Sequence, residues 1–493
     1  MKTAGKEKAA AFTAPAAVLD VDGVWLPDGT RHELATPIAH VGDVAELVTT
    51  LNLGTWTSDT WSVPGQIWIT DAMAQKVGID TSSLGKRNRN DRLKELSAES
   101  AFVTDALAQG WQLGGQPGDR LGTWTRVWRG EARGVWVALI SGMSQDPKEM
   151  PVLGDSPTAA TLARRLALLA GALRFPWAVS PASTGIDLMI AARPKEWKRI
   201  FAPSDSNFAK KFQIFEADID WSRTLSDAES KCRYVHAFDR GGSYAAGIAG
   251  LELPIGEPEH HPDGMVFDRK LPGYWLIEIP DAADWRYPNP LNPMGLSVSE
   301  PKWVTTPTLE RAAQLGYEPE ILEAFVWRDH GRVLVPWYER IRDARTALDI
   351  EGDTDALLAR EQNKVIYTHT IGMLNSDMHL AGRPGYSPER HHHIVAKSRA
   401  NIMYRIAKIG EDSGVWPVAV TKDTVLYVSD ERDPQLAWPG DQKQFGRGFG
   451  NYKPEGSALL SDHLQYLDGK GYRGKSELIA PNEWAASAEG SDS

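Results

Sequence analysis

The chain has 493 residues, of which 42% are hydrophobic and 24% are charged, and this composition excludes a wholly disordered or fibrous protein. The length predicts two or three domains, each with a sizeable core. The single cysteine, Cys232, excludes a disulfide framework and a cysteine-based zinc module. With a formal net charge of −11, any contact with DNA has to come from local clusters of Lys and Arg, because phosphates need positive partners.

The apolar stretches and the first residues bear on where the protein resides. No stretch approaches the roughly 18 consecutive apolar residues of a membrane span, and the N-terminus lacks the apolar core of a signal peptide. We therefore expect a soluble, cytoplasmic protein with no membrane partner. Residues 1–16, which are rich in alanine, are expected to be disordered.

Residues 17–200 predict an α/β domain. Strand-like apolar runs occupy Val18–Val24, Gln66–Thr70 and Gly134–Ser141. An amphipathic helix is predicted over Ser156–Leu173, with Ser156 as its N-cap and a proline at the first helical position.

Basic residues cluster at Lys86–Lys94 and at Arg193–Lys211. Such clusters give an acidic protein a local positive surface, so Lys86, Arg87 and Arg89 are candidate DNA-binding residues. The alternative for either cluster is a solvated helix or loop surface.

The later elements predict a second domain with helices inserted between its strands. In chain order they are strands at Tyr234–Phe238 and Tyr274–Ile279, a helical hairpin at Ile321–Leu348 and Thr354–Ile371, a helix at Arg390–Ile409, and a strand hairpin through Val418–Val428.

Three segments of this second domain carry residues suited to phosphoryl transfer. Asp239 ends an apolar strand and precedes a tight turn and Tyr244; such a carboxylate can hold Mg²⁺, and the ring can pack against a sugar. Arg360 and Lys364 are four residues apart, which places them on one helix face for gripping a triphosphate. Asp423 lies at the turn of the strand hairpin. Taken singly, each has an ordinary alternative: a turn, an exposed helix face or a hairpin loop.

Taken in order, residues 230–455 resemble the family-B DNA polymerases, particularly their protein-primed branch. The matching segments are Asp239 with Tyr244 for the first palm motif, Lys364 with Gly372 for the fingers motif, Ile394–Arg399 for the helix under the palm, Asp423-Thr424-Val425 for the Asp-Thr-Asp motif, and Phe449–Glu455 for the segment that contacts primer or template. The chain also resembles telomere-associated and replication proteins of actinobacterial linear plasmids and phages.

The resemblance implies a fold and a set of site residues. It implies a degenerate RNase-H-like exonuclease domain over 17–200 with Asp20 and Asp22, palm segments at 201–320 and 376–465, fingers at 321–375, and a short thumb remnant and tail at 466–493. It implies Mg²⁺ or Mn²⁺ on Asp239 and Asp423, deoxynucleoside triphosphates on Tyr244, Arg360, Lys364 and Gly372, and DNA on Arg399, Tyr452 and Lys453. Primer-template or DNA ends, and a terminal protein, are the implied partners.

One departure from the family pattern affects the chemistry. Val425 stands where the family has its last metal-binding Asp, and valine cannot bind Mg²⁺, so nucleotidyl transfer is expected to be weak unless Asp430, Glu431 or another carboxylate substitutes. A non-catalytic protein that binds DNA ends or initiates replication is therefore the second hypothesis.

A third hypothesis is a haloacid-dehalogenase-like phosphatase. The Asp-x-Asp-Gly pattern at Asp20 and Asp22 resembles that family's nucleophile and acid, and Asp155 would then belong to its late metal-binding motif.

Overall fold

The computed structural model describes residues 12–58, 61–85, 87–116, 118–130, 134–193, 208–281, 284–295, 300–380 and 382–489. Most of the predicted disordered N-terminus, Lys86 and much of the second basic cluster lie outside these residues. The described chain is mixed α/β, as the sequence predicts. It forms two compact units: the first runs to Ala191 and includes Glu339–Thr370, and the second comprises Ala192–Tyr338 and Ile371–Ser493.

The strands within the described residues are β1 Ala16–Asp20, β2 Gly23–Trp25, β3 Arg31–His32, β4 Gly54–Ser58, β5 Trp61–Pro64, β6 Gln66–Ile69, β7 Gln112–Leu113, β8 Trp124–Trp128, β9 Val135–Leu139, β10 Asp220–Ser222, β11 Tyr234–Arg240, β12 Leu253–Pro254, β13 Glu259–His261, β14 Gly273–Ile277, β15 Lys302–Thr305, β16 Ile321–Val326, β17 His330–Gly331, β18 Ala419–Thr421, β19 Thr424–Ser429 and β20 Tyr452–Leu459.

The α-helices within the same residues are α1 Val41–Thr50, α2 Asp71–Lys76, α3 Arg89–Ala98, α4 Ala101–Ala108, α5 Ala159–Leu173, α6 Pro181–Ala192, α7 Phe208–Lys211, α8 Ser243–Ile248, α9 Thr306–Gln314, α10 Val335–Ala347, α11 Thr354–Met373, α12 Asp377–Leu380, α13 Pro388–Ser413, α14 Pro434–Ala437, α15 Leu460–His463 and α16 Pro481–Glu489.

The first unit is built on a seven-stranded sheet with the order β3-β2-β1-β6-β9-β8-β7. Its central strands β1, β6 and β9 are parallel to one another, and the remaining pairs are antiparallel. These central strands are short apolar runs, as expected for strands that are covered on both faces. One face contributes Leu19, Ile67 and Val137 to the main core of the unit.

The helix predicted over Ser156–Leu173 begins three residues later than expected. Its N-cap is Thr158, whose hydroxyl accepts a hydrogen bond from the Thr161 N–H at 3.2 Å, and α5 starts at Ala159. Ser156 instead has a φ of 54° and lies in the preceding turn. The predicted cap at Ser156 is wrong because a second capping residue follows the proline.

The second unit contains a five-stranded antiparallel sheet with the order β10-β18-β19-β11-β20. The 26-residue helix α13 packs on one face, where Ile402, Met403 and Ile406 meet Phe238 and Val425. The other face has its own apolar cluster, which includes Val235 and Leu426. The alternating side chains of β11 and β19 therefore bury both faces of the sheet.

A four-stranded antiparallel sheet, β13-β16-β14-β15, forms a separate layer of the second unit. The strands predicted at Tyr234–Phe238 and Tyr274–Ile279 exist, and they belong to these two different sheets. Residues Ile321–Val326 form β16 rather than the start of a helix, so the prediction of helix from Ile321 is wrong there. A short apolar segment can form either a helix or a strand. Here its pairing with β14 makes it a strand.

Candidate functional site

Asp239 and Asp423 lie at neighbouring strand ends in the second unit. Asp239 is the penultimate residue of β11 and is paired with Thr424, the first residue of β19. The N–H of Arg240 donates to the carbonyl oxygen of Asp423 at 3.0 Å, which fixes the β18–β19 turn beside the end of β11. Two carboxylates from distant parts of the sequence therefore meet at one edge of the sheet.

The two carboxylates interact electrostatically. Burial and, to a lesser extent, the nearby Asp239 carboxylate raise the pKa of the Asp423 carboxyl to about 6, against the opposing effect of Lys475. A buried acid next to a like charge is costly to ionise. A divalent cation held by the carboxylate oxygens of Asp239 and Asp423 would offset that cost. The charges at this edge therefore favour the binding of a cation.

Lys453 flanks Asp239. It is paired with Asp239 across the β11–β20 ladder, and its ammonium nitrogen lies 3.4 Å from Asp239 Oδ2. The Lys453 side chain is 41% exposed. Its charge is therefore held next to the carboxylate pair while remaining accessible to a phosphate.

A second lysine was not foreseen from the sequence. Lys475 lies 2.7 Å from Glu455 Oε1 and donates to Thr424 Oγ1 at 3.2 Å, and Thr424 in turn donates to Glu455 Oε2 at 2.6 Å. Glu455 ends the Phe449–Glu455 segment, which the sequence did single out. Lys475 comes from the segment after β20, where no motif pointed to it.

Tyr244 lies in α8, directly after the turn that follows Asp239. Its hydroxyl donates to Asp218 Oδ1 at 2.6 Å. Burial raises the pKa of Tyr244, and Asp218 and Asp423 raise it further, so the phenol stays protonated. The ring is thereby held close to the carboxylate edge of the sheet.

Val425 does not contribute to this edge. It is fully buried and packs in the core between the sheet and α13. Asp430 and Glu431 are the carboxylates that the sequence offered in place of the Asp missing at position 425. They follow the opposite end of β19, and the six residues of that strand place them on the order of 20 Å from the β18–β19 turn. Glu455 is the additional carboxylate near the pair, and its partner is Lys475.

Among the described residues, no group of three or more His, Cys, Asp or Glu side chains is arranged to hold a metal ion. Asp239 and Asp423 together offer oxygen ligands of the kind that Mg²⁺ and Mn²⁺ prefer.

Two predicted DNA-binding residues are buried in the second unit. Arg399 is 4% exposed, and its guanidinium bonds to the Glu216 carboxylate, the Ala217 carbonyl and the Thr308 hydroxyl. Tyr452 is 1% exposed and packs against Trp438. These positions favour structural roles for both side chains over contacts with DNA.

The predicted triphosphate-binding residues differ in exposure. Arg360 is 5% exposed and forms ion pairs with Glu361 at 2.8 Å and Asp349 at 3.4 Å. Lys364, one helical turn later, is exposed. Gly372 is also exposed, and a Cβ added there meets no atom within 4 Å, so packing among the described residues does not require glycine. Of this set, Lys364 is the side chain that an anion can reach.

The predicted DNA-binding residues near the N-terminal end of α3 also belong to the first unit, as Arg360 and Lys364 do. Arg87 is exposed, whereas Arg89 donates to the carbonyls of Gly85 and Met143 at 3.0 and 2.8 Å and so braces its own loop. Lys86 lies outside the described residues. Of the three predicted residues, Arg87 is therefore the one that is both described and exposed.

Asp20 and Asp22 follow the first strand of the first unit. Asp20 Oδ1 accepts hydrogen bonds from the Val21 N–H at 2.8 Å and the Thr70 hydroxyl at 2.7 Å, and Asp22 lies 3.6 Å from Arg31. Asp155, the third residue of the phosphatase hypothesis, is paired with Arg165 at 2.5 Å. The Arg165 hydrogen bond lowers the pKa of the Asp155 carboxyl.

No helix in the described part of the chain combines the length and apolar character needed to cross a bilayer.

Comparison with known proteins gives no sequence relative. No protein-family model and no curated protein matches the chain. Solved structures with a partial likeness include Phi29 DNA polymerase bound to primer-template DNA, with a TM-score of 0.45, 11% identity, and 80% of this chain and 76% of that chain covered. The same polymerase bound to single-stranded DNA has a TM-score of 0.44 at 11% identity over the same shares. A TM-score below 0.5 is too low to assign a function by structural similarity. The candidate function therefore rests on the contacts within the chain itself.

Proposed function

We propose that this chain is a DNA-binding replication protein with a palm like that of family-B DNA polymerases and weak nucleotidyl transfer. The observation that carries the proposal is the meeting of Asp239 and Asp423 at adjacent strand ends. The sequence places these residues in separate motifs, and the pairing of β11 with β19 brings them to one edge. Such an arrangement of carboxylates suits the handling of phosphates through a cation.

In the proposed site, Asp239 and Asp423 hold one Mg²⁺ or Mn²⁺. When bound, that ion neutralises charge on a nucleotide's phosphate oxygens. Tyr244, fixed by its hydrogen bond to Asp218, packs against the sugar of the incoming nucleotide. Lys453 contacts a DNA phosphate from its position beside Asp239.

We expect nucleotidyl transfer to be weak because the site lacks a ligand for a second metal ion. Polymerase chemistry uses two ions, one to activate the attacking hydroxyl and one to stabilise the leaving pyrophosphate. Val425 is buried in the core and supplies no ligand for the second. Lys364, which belongs to the first unit, is proposed as a triphosphate-binding residue on its exposure alone, because Arg360 is paired.

The proposed function also assigns a role to each domain of the chain. The domain over residues 17–200 is a degenerate exonuclease-type domain of RNase-H-like fold, with Asp20 and Asp22 at its first strand. Residues 201–320 and 376–465 form the palm, 321–375 the fingers, and 466–493 a thumb remnant and tail. The protein acts in the cytoplasm on primer-template DNA or DNA ends, together with a terminal protein.

A second candidate is a non-catalytic protein that binds DNA ends or initiates replication. The ion pairs of Lys453 with Asp239 and of Lys475 with Glu455 favour it, because they neutralise carboxylates without a metal ion. Both candidates bind DNA, and they differ in whether nucleotides are incorporated.

Incorporation of labelled nucleotides on a primed template, with Mg²⁺ or Mn²⁺, separates the two candidates. We expect slow incorporation by the wild type, none by Asp239→Ala, and unchanged DNA affinity in that variant. Asp430→Ala, at the far end of β19, is the matched control and should behave as wild type. DNA binding without incorporation would favour the non-catalytic candidate, and absence of DNA binding would contradict both.

A further inference from the structure

Two arginines of the second unit carry positive charge that no carboxylate pairs within the described part of the chain. Arg240 ends β11 and is 8% exposed; its guanidinium donates to the Ser243 hydroxyl at 3.0 Å and forms no ion pair with a described residue. Arg405 lies half-buried on α13, where its Cζ is 5.9 Å from the centroid of the Tyr404 ring, and it likewise has no described ion pair. Because a guanidinium has five N–H donors, most donors of the buried Arg240 have no acceptor among these residues.

Strand pairing and helix packing bring the two arginines to the same side of the five-stranded sheet. Arg240 is paired with Tyr452 across the β11–β20 ladder and lies two residues after Phe238, so these three side chains share one face. Phe238 and Tyr452 belong to the apolar cluster that α13 covers. Burial lowers the pKa of Arg240, and repulsion from Arg405 adds to that effect, so the two charges are close enough to interact.

The hydroxyl of Tyr452 is a third donor in this cluster. It is buried, and no described residue forms a hydrogen bond with it. Burial raises the pKa of Tyr452 to about 12, against the opposing effect of Arg240 and Arg405, so the phenol is neutral and interacts with both arginines. A buried polar group without a hydrogen-bond partner costs free energy. Two cations and one neutral donor therefore meet here without an acceptor among the described residues.

The nearby carboxylates do not balance this positive charge. Asp239 is paired with Lys453 at 3.4 Å. Asp423 acts on Arg240 electrostatically but forms no ion pair with it, and its own pKa of about 6 makes it a weak source of negative charge in mildly acidic solution. A buried charge without a close partner is costly, and a bound anion would remove that cost.

We infer that Arg240, Arg405 and Tyr452 form a binding site for a phosphate group between α13 and the end of β11. Phosphate oxygens accept hydrogen bonds from guanidinium and hydroxyl groups, and arginine suits phosphate better than lysine does. Arg405 is half-buried, so an anion can approach from its side. This anion site is separate from the cation proposed at Asp239 and Asp423 and does not depend on it.

The competing explanation is a purely structural role for the same side chains. The Ser243 hydroxyl that accepts from Arg240 also bonds to the Ser398 hydroxyl of α13 at 2.6 Å, which ties α8 to α13. A structural role predicts that substitutions in the cluster have the same effect with and without phosphate. A phosphate site predicts effects that appear when phosphate is present.

The test is thermal unfolding of the full chain at pH 7.5, in inorganic phosphate or in sodium chloride of the same ionic strength. Phosphate at about ten times its Kd should raise the Tm of the wild type by roughly 2–4 °C, because it binds the folded state. Arg405→Met and Tyr452→Phe should lose most of this rise, and Arg405→Lys should keep part of it. Lys408→Met, on the same helix and with the same charge change, should respond as the wild type does.

A second measurement identifies the source of the phosphate group. In fluorescence anisotropy with a single-stranded oligonucleotide, a site for backbone phosphate predicts weaker DNA binding by Arg405→Met and Tyr452→Phe. It also predicts that inorganic phosphate displaces DNA from the wild type more effectively than chloride does. Variants that lose the response to phosphate and bind DNA as the wild type does would show that the site takes free phosphate. Either result supports the site.

Two results would overturn the inference. Equal Tm values of the wild type in phosphate and in chloride would mean that no phosphate is bound. An equal rise in the wild type, Arg405→Met and Tyr452→Phe would be the general effect of phosphate as an excluded salt. Neither result affects the proposed function, because nucleotide incorporation and DNA binding by the wild type are measured separately.

Discussion

The Asp423 carboxyl differs from ordinary surface carboxyls in its pKa. Its pKa is raised to about 6 by burial and by Asp239, from a usual value near 3.8. A raised pKa means that the folded protein holds its proton more tightly than the unfolded chain does. The stability that this group provides is present at low pH and is lost as pH rises from about 4 through about 6.

Asp423→Asn should therefore stabilise the protein at neutral pH. At pH 7.5 and without divalent ions, we expect the free energy of unfolding to rise by roughly 1–3 kcal/mol, and at pH 4 to change little. Chemical denaturation at both pH values checks this, with Asp430→Asn as the control. A lower free energy of unfolding for Asp423→Asn at pH 7.5 would contradict the electrostatic account of the site.

Arg399 is a residue for which the sequence pattern and the structure lead to different roles. Burial opposes the ionisation of Glu216, but Arg399 and hydrogen bonds from Thr305 more than offset it, and the pKa of Glu216 is lowered. Neither the charge of Arg399 nor its spacing on the helix reveals that it will be buried. The sequence therefore predicted a DNA contact where the structure has an internal ion pair.

Removing one partner of this pair should be costly. Arg399→Met leaves the Glu216 charge buried without its cation, and we expect the free energy of unfolding to fall by about 3–5 kcal/mol. Denaturant unfolding measures this directly. Equal stability of Arg399→Met and wild type, together with weaker DNA binding, would instead support the original prediction of a DNA contact.

At the scale of elements, α13 shows how a polar sequence can form a core helix. His392 and His393 are buried; His392 bonds to the Tyr274 hydroxyl at 2.8 Å, and His393 Nε2 accepts the Gly273 N–H at 3.2 Å. Burial lowers the pKa of both rings to about 4. Two of the three adjacent histidines of α13 therefore occupy core positions.

These histidines make the second unit sensitive to acid. Their folded pKa lies below the unfolded value of about 6.5, so the unfolded chain binds more protons and stability falls as pH drops from about 6.5 towards 4. The loss is at most roughly 3 kcal/mol per histidine. The titration of Asp423 changes the free energy of unfolding in the opposite direction over part of this pH range. The two proteins to be compared should therefore both contain Asp423.

His392→Gln provides that comparison, because the amide can still accept the Tyr274 hydrogen bond. We expect the variant to lose less stability than the wild type between pH 6.5 and pH 4, as followed by thermal unfolding. Identical pH profiles for the two proteins would mean that His392 is not held neutral by burial.

The elements that the sequence predicted well share a local cause. β11, β19 and α13 are long or strongly patterned, so apolar runs and turn residues are enough to place Asp239 and Asp423 at strand ends. Lys475 and Asp218 could not be predicted, because their contacts depend on how distant segments pack. Ile321–Val326 was assigned to a helix because a six-residue segment with five apolar residues has no decisive period.

At the scale of the whole molecule, a net charge of −11 limits how DNA can be bound. Contacts must come from a few lysines and arginines, and binding should weaken steeply with salt as counterions are released. Lys453 and Arg87 are exposed candidates in the two units. The exposure of neither residue could be deduced from the sequence alone.

Lys453→Ala should lower DNA affinity and reduce the slope of log affinity against log salt by about one, because one phosphate contact is lost. Lys408→Ala, on α13 and paired with Asp412, is the control with the same charge change. Fluorescence anisotropy across a salt series measures both slopes. Equal slopes for Lys453→Ala and wild type would remove Lys453 from the DNA interface.

Anomalous scattering from crystals grown with Mn²⁺ tests directly whether Asp239 and Asp423 share a divalent cation, as proposed. We expect one anomalous peak between the two carboxylates in the wild type, and no peak there in Asp239→Asn. A map with no peak between them, or with the ion bound only at carboxylates elsewhere, would contradict this expectation.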